Sequence, residues 1–352
     1  MGGEPTASKR PRRTRRRLLR AGAVLVGACV ALLLGEVALR VAGVTAEPKR
    51  HFDPGIFRAD DELHWRLVPN FAGVYRDYER HIPTSTNSAG FRGPDWAEGK
   101  AAELRVVALG DSCTFGLGVP DDGAYPPQLQ AQLRERGRDA FVYNLGVMGY
   151  DTHQEARLWD QLAAELAPQV VVLGWLPNDA TPAGAETQVH VREGFLVEDE
   201  EEFETWRDRR QRRGINGSVL YRVLRVKSKQ LKHAFDGGRG NWRPDWLDAE
   251  ALAPSLASLS QIHARCEAIG ARLVVVFFPR REELDDPELG LAHYDLVRAH
   301  VESLGASVID LPHAWREQRP EGELYVFRDN THFTSLGYAD LARRVADAIL
   351  AE

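Results

Sequence analysis

Cysteine is scarce in this sequence. Only three occur in 352 residues: Cys29 in an apolar segment, Cys113 beside a serine, and Cys266 in a helical pattern. Nothing in that placement suggests a disulfide framework. Compact metal-ligand spacing is also missing, since no pair of His or Cys falls into an HExxH or CxxC pattern, and no metal is expected. His64, His81 and His263 read as ordinary surface or packing residues. Beyond residue 20 there is no excess of basic charge. Residues 1–20 hold eight Lys/Arg against Glu4 alone and contribute +7 to a net charge of −6, which leaves −13 on the remainder. A body this acidic is a poor nucleic-acid binder.

What is present begins with an apolar stretch. Residues 21–44 are apolar or small almost throughout, and as a helix they span about 36 Å, enough to cross a bilayer core of about 30 Å. Glu36 and Arg40 stand one turn apart near the far end, where they can pair. The arginines in front predict a cytoplasmic tail over 1–20, a single transmembrane signal anchor over 21–44, and an extracytoplasmic remainder. A cleaved export signal is the alternative, with Arg15-Arg16-Arg17 as a twin-arginine motif and Val44-Thr45-Ala46 as the cleavage site. Both place the rest of the chain outside the cytoplasm.

The body alternates strand and helix. Strands are expected near 104–110, 141–145, 169–174, 271–278 and 306–310, and helices near 125–136, 152–166, 250–269, 291–304 and 335–350. Val170–Leu173 and Leu273–Phe278 are continuous apolar runs, as in strands covered on both faces. That pattern predicts a three-layer α/β/α domain with a mostly parallel five-stranded sheet, and 43% hydrophobic residues suffice for its core. Right-handed crossovers bring all carboxyl ends of such strands to one edge.

Four short blocks fall at that edge. Gly110-Asp111-Ser112-Cys113-Thr114 ends the first strand, and a serine there is a nucleophile if a base stands near. Asp329-Asn330-Thr331-His332 precedes the last helix and supplies a base with the carboxylate that orients it. Asn144-Leu145-Gly146 and Gly174-Trp175-Leu176-Pro177-Asn178-Asp179 follow the second and third strands. There a Gly146 N–H and an Asn178 amide can donate to a developing oxyanion.

In this order the blocks resemble the SGNH (GDSL-type) hydrolase family, over roughly residues 104–350 apart from an insertion at about 180–245. The resemblance implies a flavodoxin-like SGNH fold and a catalytic triad of Ser112, Asp329 and His332. It also implies an oxyanion hole of Ser112, Gly146 and Asn178, and chemistry without a cofactor. The third block departs from the family's Gly-x-Asn-Asp, since three residues separate Gly174 from Asn178. Residues 47–103 form a β/loop preamble. Its Asn87-Ser88-Ala89-Gly90-Phe91-Arg92-Gly93 resembles a segment that often precedes the core in membrane-anchored members, and Arg92 is read as a structural ion pair.

In the insertion, Ser218–Phe235 has an apolar face with Leu220, Val223, Leu224 and Leu231, and basic residues mainly elsewhere. It is read as a helix packed on the core, in preference to a cap over the site or a helix lying on anionic lipid. The domain 104–352 is thus expected to be an esterase forming an acyl-serine, acting outside the cytoplasm on an ester of a glycan, lipid or small molecule. An envelope polysaccharide O-acyltransferase with the same triad is the alternative, and a non-catalytic anchored binding protein a third reading.

Overall fold

The computed structural model describes residues 11–42, 51–77, 80–180, 189–198, 200–210, 218–221, 223–224, 244, 247–326 and 329–351. The chain divides into two compact units, one of residues 1–48 with 200–239 and the other of residues 49–199 with 240–352.

In the first unit, helix α1 (Pro11–Val41) contains Arg16–Val41, 26 residues whose most apolar 18-residue window has a mean hydropathy of 2.3, long and apolar enough to cross a membrane. Arg40 Nε donates to Glu36 Oε1 at 2.7 Å, the pair expected from their spacing. Glu36 also accepts from Ser218 Oγ (2.8 Å) and from the N–H groups of Val219 (3.0 Å) and Leu220 (2.8 Å). A carboxylate thus satisfies the free donors at the start of a helical stretch. Within this unit these bonds join α1 to the described start of the amphipathic stretch. The rest of it, 225–235, and the candidate cleavage site at 44–46 lie outside the described residues.

The second unit opens with the preamble. Strands β1 (His51–Asp53), β4 (Ala72–Arg76) and β5 (His81–Ser85) form an antiparallel sheet, while β2 (Phe57–Asp60) and β3 (His64–Leu67) form a hairpin. Its main sheet consists of β6 (Leu104–Gly110), β7 (Ala140–Gly146), β8 (Val170–Trp175), β11 (Arg272–Phe277) and β12 (Ser307–Asp310), in the order β12-β11-β8-β6-β7, and every pairing is parallel. The strands lie within two residues of the expected bounds. Along β6 the side chains alternate between two buried clusters. Val107 and Leu109 join Val171, Leu173, Val275 and Phe277 on one face, and Val106 and Ala108 join Val172, Val274 and Val276 on the other. Both faces are therefore covered, as continuous apolar strands require.

Helices α3 (Tyr125–Glu135) and α10 (Ser335–Leu350) pack together on one face, while α4 (Thr152–Leu166) and α6 (Ala249–Ala268) do so on the other. The chain goes from β6 through α3 to β7, then through α4 back across β6 to β8. The strand order reverses at β6, which makes its carboxyl end the crevice where open sheets of this kind bind ligands. From the insertion, β9 (His190–Arg192) and β10 (Phe195–Val197) form a hairpin that joins the preamble, with Phe57 N donating to Gly194 O at 3.0 Å.

Candidate active site

The carboxyl ends of β6 and β7 are in register, Gly110 opposite Gly146. At Gly110 the chain turns with φ +155°, and a Cβ there would meet Thr114 Oγ1 at 2.2 Å, so only glycine fits. Asp111 caps the four-residue helix α2 (Ser112–Phe115), accepting the Cys113 N–H at 2.8 Å. Ser112 thus begins a helix, where its own N–H has no acceptor.

The last block meets this turn across 220 residues. His332 Nε2 lies 2.8 Å from Ser112 Oγ, and His332 Nδ1 lies 2.7 Å from Asp329 Oδ2. The other Asp329 oxygen accepts the N–H groups of Thr331 (2.7 Å) and His332 (2.9 Å), which fixes the carboxylate. With Nδ1–H donating to Asp329, Nε2 is left to accept from the serine hydroxyl. Asp329 is buried, and its loop is held from both sides. Arg281 N donates to Asn330 O at 2.7 Å, the Asn330 amide donates to Glu282, and Cys113 Sγ reaches Thr331 O at 3.7 Å. Burial pushes the Cys113 thiol well above its usual range, so it stays protonated beside Ser112.

Asn178 follows β8 in a turn of 3-10 helix, Pro177–Ala180, and stands near enough to Asp111 to act on its carboxyl, which it lowers. The same carboxylate lies 3.3 Å from Ser112 Oγ, so Ser112 and Asn178 converge on one side chain. Burial raises Asp111, against the opposing Cys113 N–H and His332 charge. Thus the longer third block still brings its asparagine near Asp111, beside Ser112.

Gly146 is placed differently from the sequence reading. Its N–H donates to Asn144 Oδ1 at 2.9 Å, so that donor is committed within its own strand end. Its small size serves packing: a Cβ would lie 2.1 Å from Phe115 N, because α2 rests on this residue. Three residues on, Gly149 is the one exposed residue of 140–150, and among the described residues its N–H has no acceptor. Val147 N donates to Gly110 O at 3.0 Å and joins this loop to the turn that bears Ser112. Sequence reasoning also assigned nothing to Asp111, Asn144, Arg281 or Glu282. The first two stand within quoted blocks, while the others carry no local signal. Among the described residues no group of three or more His, Cys, Asp or Glu is arranged to hold a metal.

A sequence model of the GDSL-like lipase/acylhydrolase family matches residues 108–339. No curated protein sequence matches the chain. Among solved structures, TesA is 15% identical, with 70% of this chain and 99% of that one covered at a TM-score of 0.44. An acetyl xylan esterase, AlAXEase, is 15% identical over 70% and 100% of the two chains at 0.42. A lipase/acylhydrolase from Enterococcus faecalis is 16% identical over 70% and 95% at 0.40. The family match takes in all four blocks and two thirds of the chain, and by it this protein belongs to the GDSL-like lipase/acylhydrolase family, as a serine hydrolase.

Proposed function

We propose that Ser112, His332 and Asp329 form the catalytic triad of an esterase that acts through an acyl-serine. The observation that carries this reading is the unbroken hydrogen-bonded chain from Ser112 Oγ through His332 to Asp329. A serine hydroxyl is too weak an acid to attack unaided near neutral pH, so His332 Nε2 takes its proton as Oγ bonds to the ester carbonyl carbon. Asp329 holds the tautomer and stabilises the imidazolium. The tetrahedral oxyanion is received by the Ser112 N–H and the Asn178 amide. Gly149, with its N–H free on an exposed loop, takes the donor role that Gly146 cannot fill. His332 then protonates the departing alkoxide, and water attacks the acyl-serine with His332 as base.

The substrate is an ester of a glycan, lipid or small molecule, and water is the acceptor. The polar loop 329–334 and the Gly-rich 115–119 supply no long aromatic platform for a polymer acceptor. With a p-nitrophenyl ester and a saturating oligosaccharide, the full chain is expected to release free acid faster than it acylates the sugar, as read by mass spectrometry. Acyl groups found mostly on the sugar would replace hydrolysis by transfer.

The apolar length of α1 and the arginines in its first turns support a single span, with the amino terminus in the cytoplasm and the hydrolase domain outside. A phosphatase fused after Glu352 is then active. Activity instead from a reporter that works only in the cytoplasm reverses this topology.

A further inference from the structure

Arg92 does more than form the ion pair read from sequence. The turn that bears it is closed by Asn87, whose Oδ1 accepts the N–H groups of Ala89 and Phe91, both at 3.0 Å, while its Nδ2 donates to Pro94 O at 3.0 Å. Phe91 stacks on Trp96, with ring centroids 5.2 Å apart. From this rigid turn the Arg92 side chain runs inward until only 3% of it is exposed.

Its guanidinium ends among the carbonyls that follow the nucleophile. Nη1 donates to Phe115 O (3.1 Å) and Gly116 O (2.6 Å), and Nη2 donates to Val119 O (2.7 Å). Nε donates to Asp121 Oδ1 (2.7 Å), and the guanidinium carbon lies 5.0 Å from the Phe115 ring centroid. The segment so gripped is the one that closes α2: Gly116 N and Leu117 N donate back to Ser112 O at 3.1 and 3.0 Å.

A helix of four residues does not hold itself in water, and the carbonyls at its end need outside donors. Arg92 supplies three such bonds. Its one anionic partner, Asp121, is 49% exposed, which weakens that pair, so the carbonyls fix where the cation sits. A lysine presents a point charge in place of this fork and cannot make the same set.

We propose that Arg92 is a positioning residue for the hydrolysis, holding α2 so that Ser112 Oγ and the Ser112 N–H keep their places relative to His332 and the oxyanion. This inference rests on the reading of Ser112 as nucleophile. The preamble is then part of the catalytic scaffold, and its arginine acts through the backbone without touching the substrate. A displacement of about 1 Å in such a constellation costs about a hundredfold in rate.

The test uses the full chain and compares Arg92→Lys, Arg92→Gln and Asp121→Asn. It reads kcat and KM on a p-nitrophenyl ester, the rate at which a fluorophosphonate labels Ser112, and thermal unfolding. Arg92→Lys and Arg92→Gln are expected to lower kcat and the labelling rate together by about tenfold or more, with KM held within about twofold. Asp121→Asn leaves the three carbonyl bonds in place and keeps kcat within about twofold of wild type.

Wild-type kcat and labelling in both Arg92 variants overturn the proposal. So does a loss of kcat that only follows the fraction of unfolded protein. Failure of the triad reading is seen separately, in the wild type, as absence of label on Ser112.

Discussion

Ser112→Ala lowers kcat on p-nitrophenyl acetate by about 10⁴- to 10⁶-fold, down to what binding and the oxyanion donors supply alone. The hydroxyl is the only atom of Ser112 within reach of His332 Nε2, and no other nucleophile replaces it, because the adjacent Cys113 is buried with its thiol protonated. The fold is unaffected, since Oγ bonds only His332 and Asp111 while the Asp329–His332 contact stands without it. Asn178→Ala, which removes a donor felt mainly in the transition state, costs less, about 10²-fold in kcat with a smaller change in KM. The measurement is steady-state turnover alongside circular dichroism. Wild-type kcat in folded Ser112→Ala would remove the triad, and wild-type kcat in Asn178→Ala would move the donor elsewhere.

The second large effect is on stability. Glu155 in the first turn of α4 is fully buried, and among the described residues neither of its oxygens has a partner. Asp179, 3% exposed, uses Oδ2 to accept Leu176 N at 2.7 Å and leaves Oδ1 without one. Burial pushes both carboxyls well above the usual range. Neighbouring acids add to it: Asp179, Asp111 and Asp151 around Glu155, and Asp111 and Asp151 around Asp179. The charge of Glu155 in turn helps to push up the Tyr125 hydroxyl, whose main cause is burial.

An acid whose folded value is raised binds its proton more tightly when folded. Its stabilisation is complete below the unfolded value, about pH 4, and is lost as the pH climbs towards the folded value. The loss is about 1.4 kcal/mol per pH unit for each such group. Asp60 and Asp340, with lowered values, act in the opposite sense and below this window. Glu155→Gln keeps the shape and carries no charge at any pH. Its Tm relative to wild type is therefore expected to rise as the pH climbs above the unfolded value towards the folded one. Parallel Tm curves for the two proteins over that range would show that Glu155 carries no extra proton in the folded state.

The sheet was legible because its signal is local. Val170–Leu173 and Leu273–Phe278 carry in their own composition the fact of burial on both faces, and the crossover rule then sends their ends to one edge. Ser112, Asp329 and His332 were legible for a related reason: a strand end and a helix start fix where such residues stand. The altered spacing of the third block still leaves Asn178 near Asp111, because the turn after β8 ends there.

Gly146 shows where such reading stops. A glycine after a strand is the same letter whether its N–H faces a ligand or a neighbour, and here Asn144 takes it. Which donor stays free depends on a contact of the folded loop. Arg92 is a second case, since its three carbonyl acceptors lie 23 to 27 residues away and backbone carbonyls have no letter in a sequence. The buried acids are a third: Glu155 lies among polar helix residues, and only the packing of α4 under the site takes its carboxyl out of water. Runs of apolar residues and turn-forming glycines record the chain's local preferences, and from these come the layers, the strand ends and the place of the candidate nucleophile. Commitment of a hydrogen bond, loss of water and the charge a carboxyl holds are set by partners distant in the chain, and these exist only once the sheet has closed.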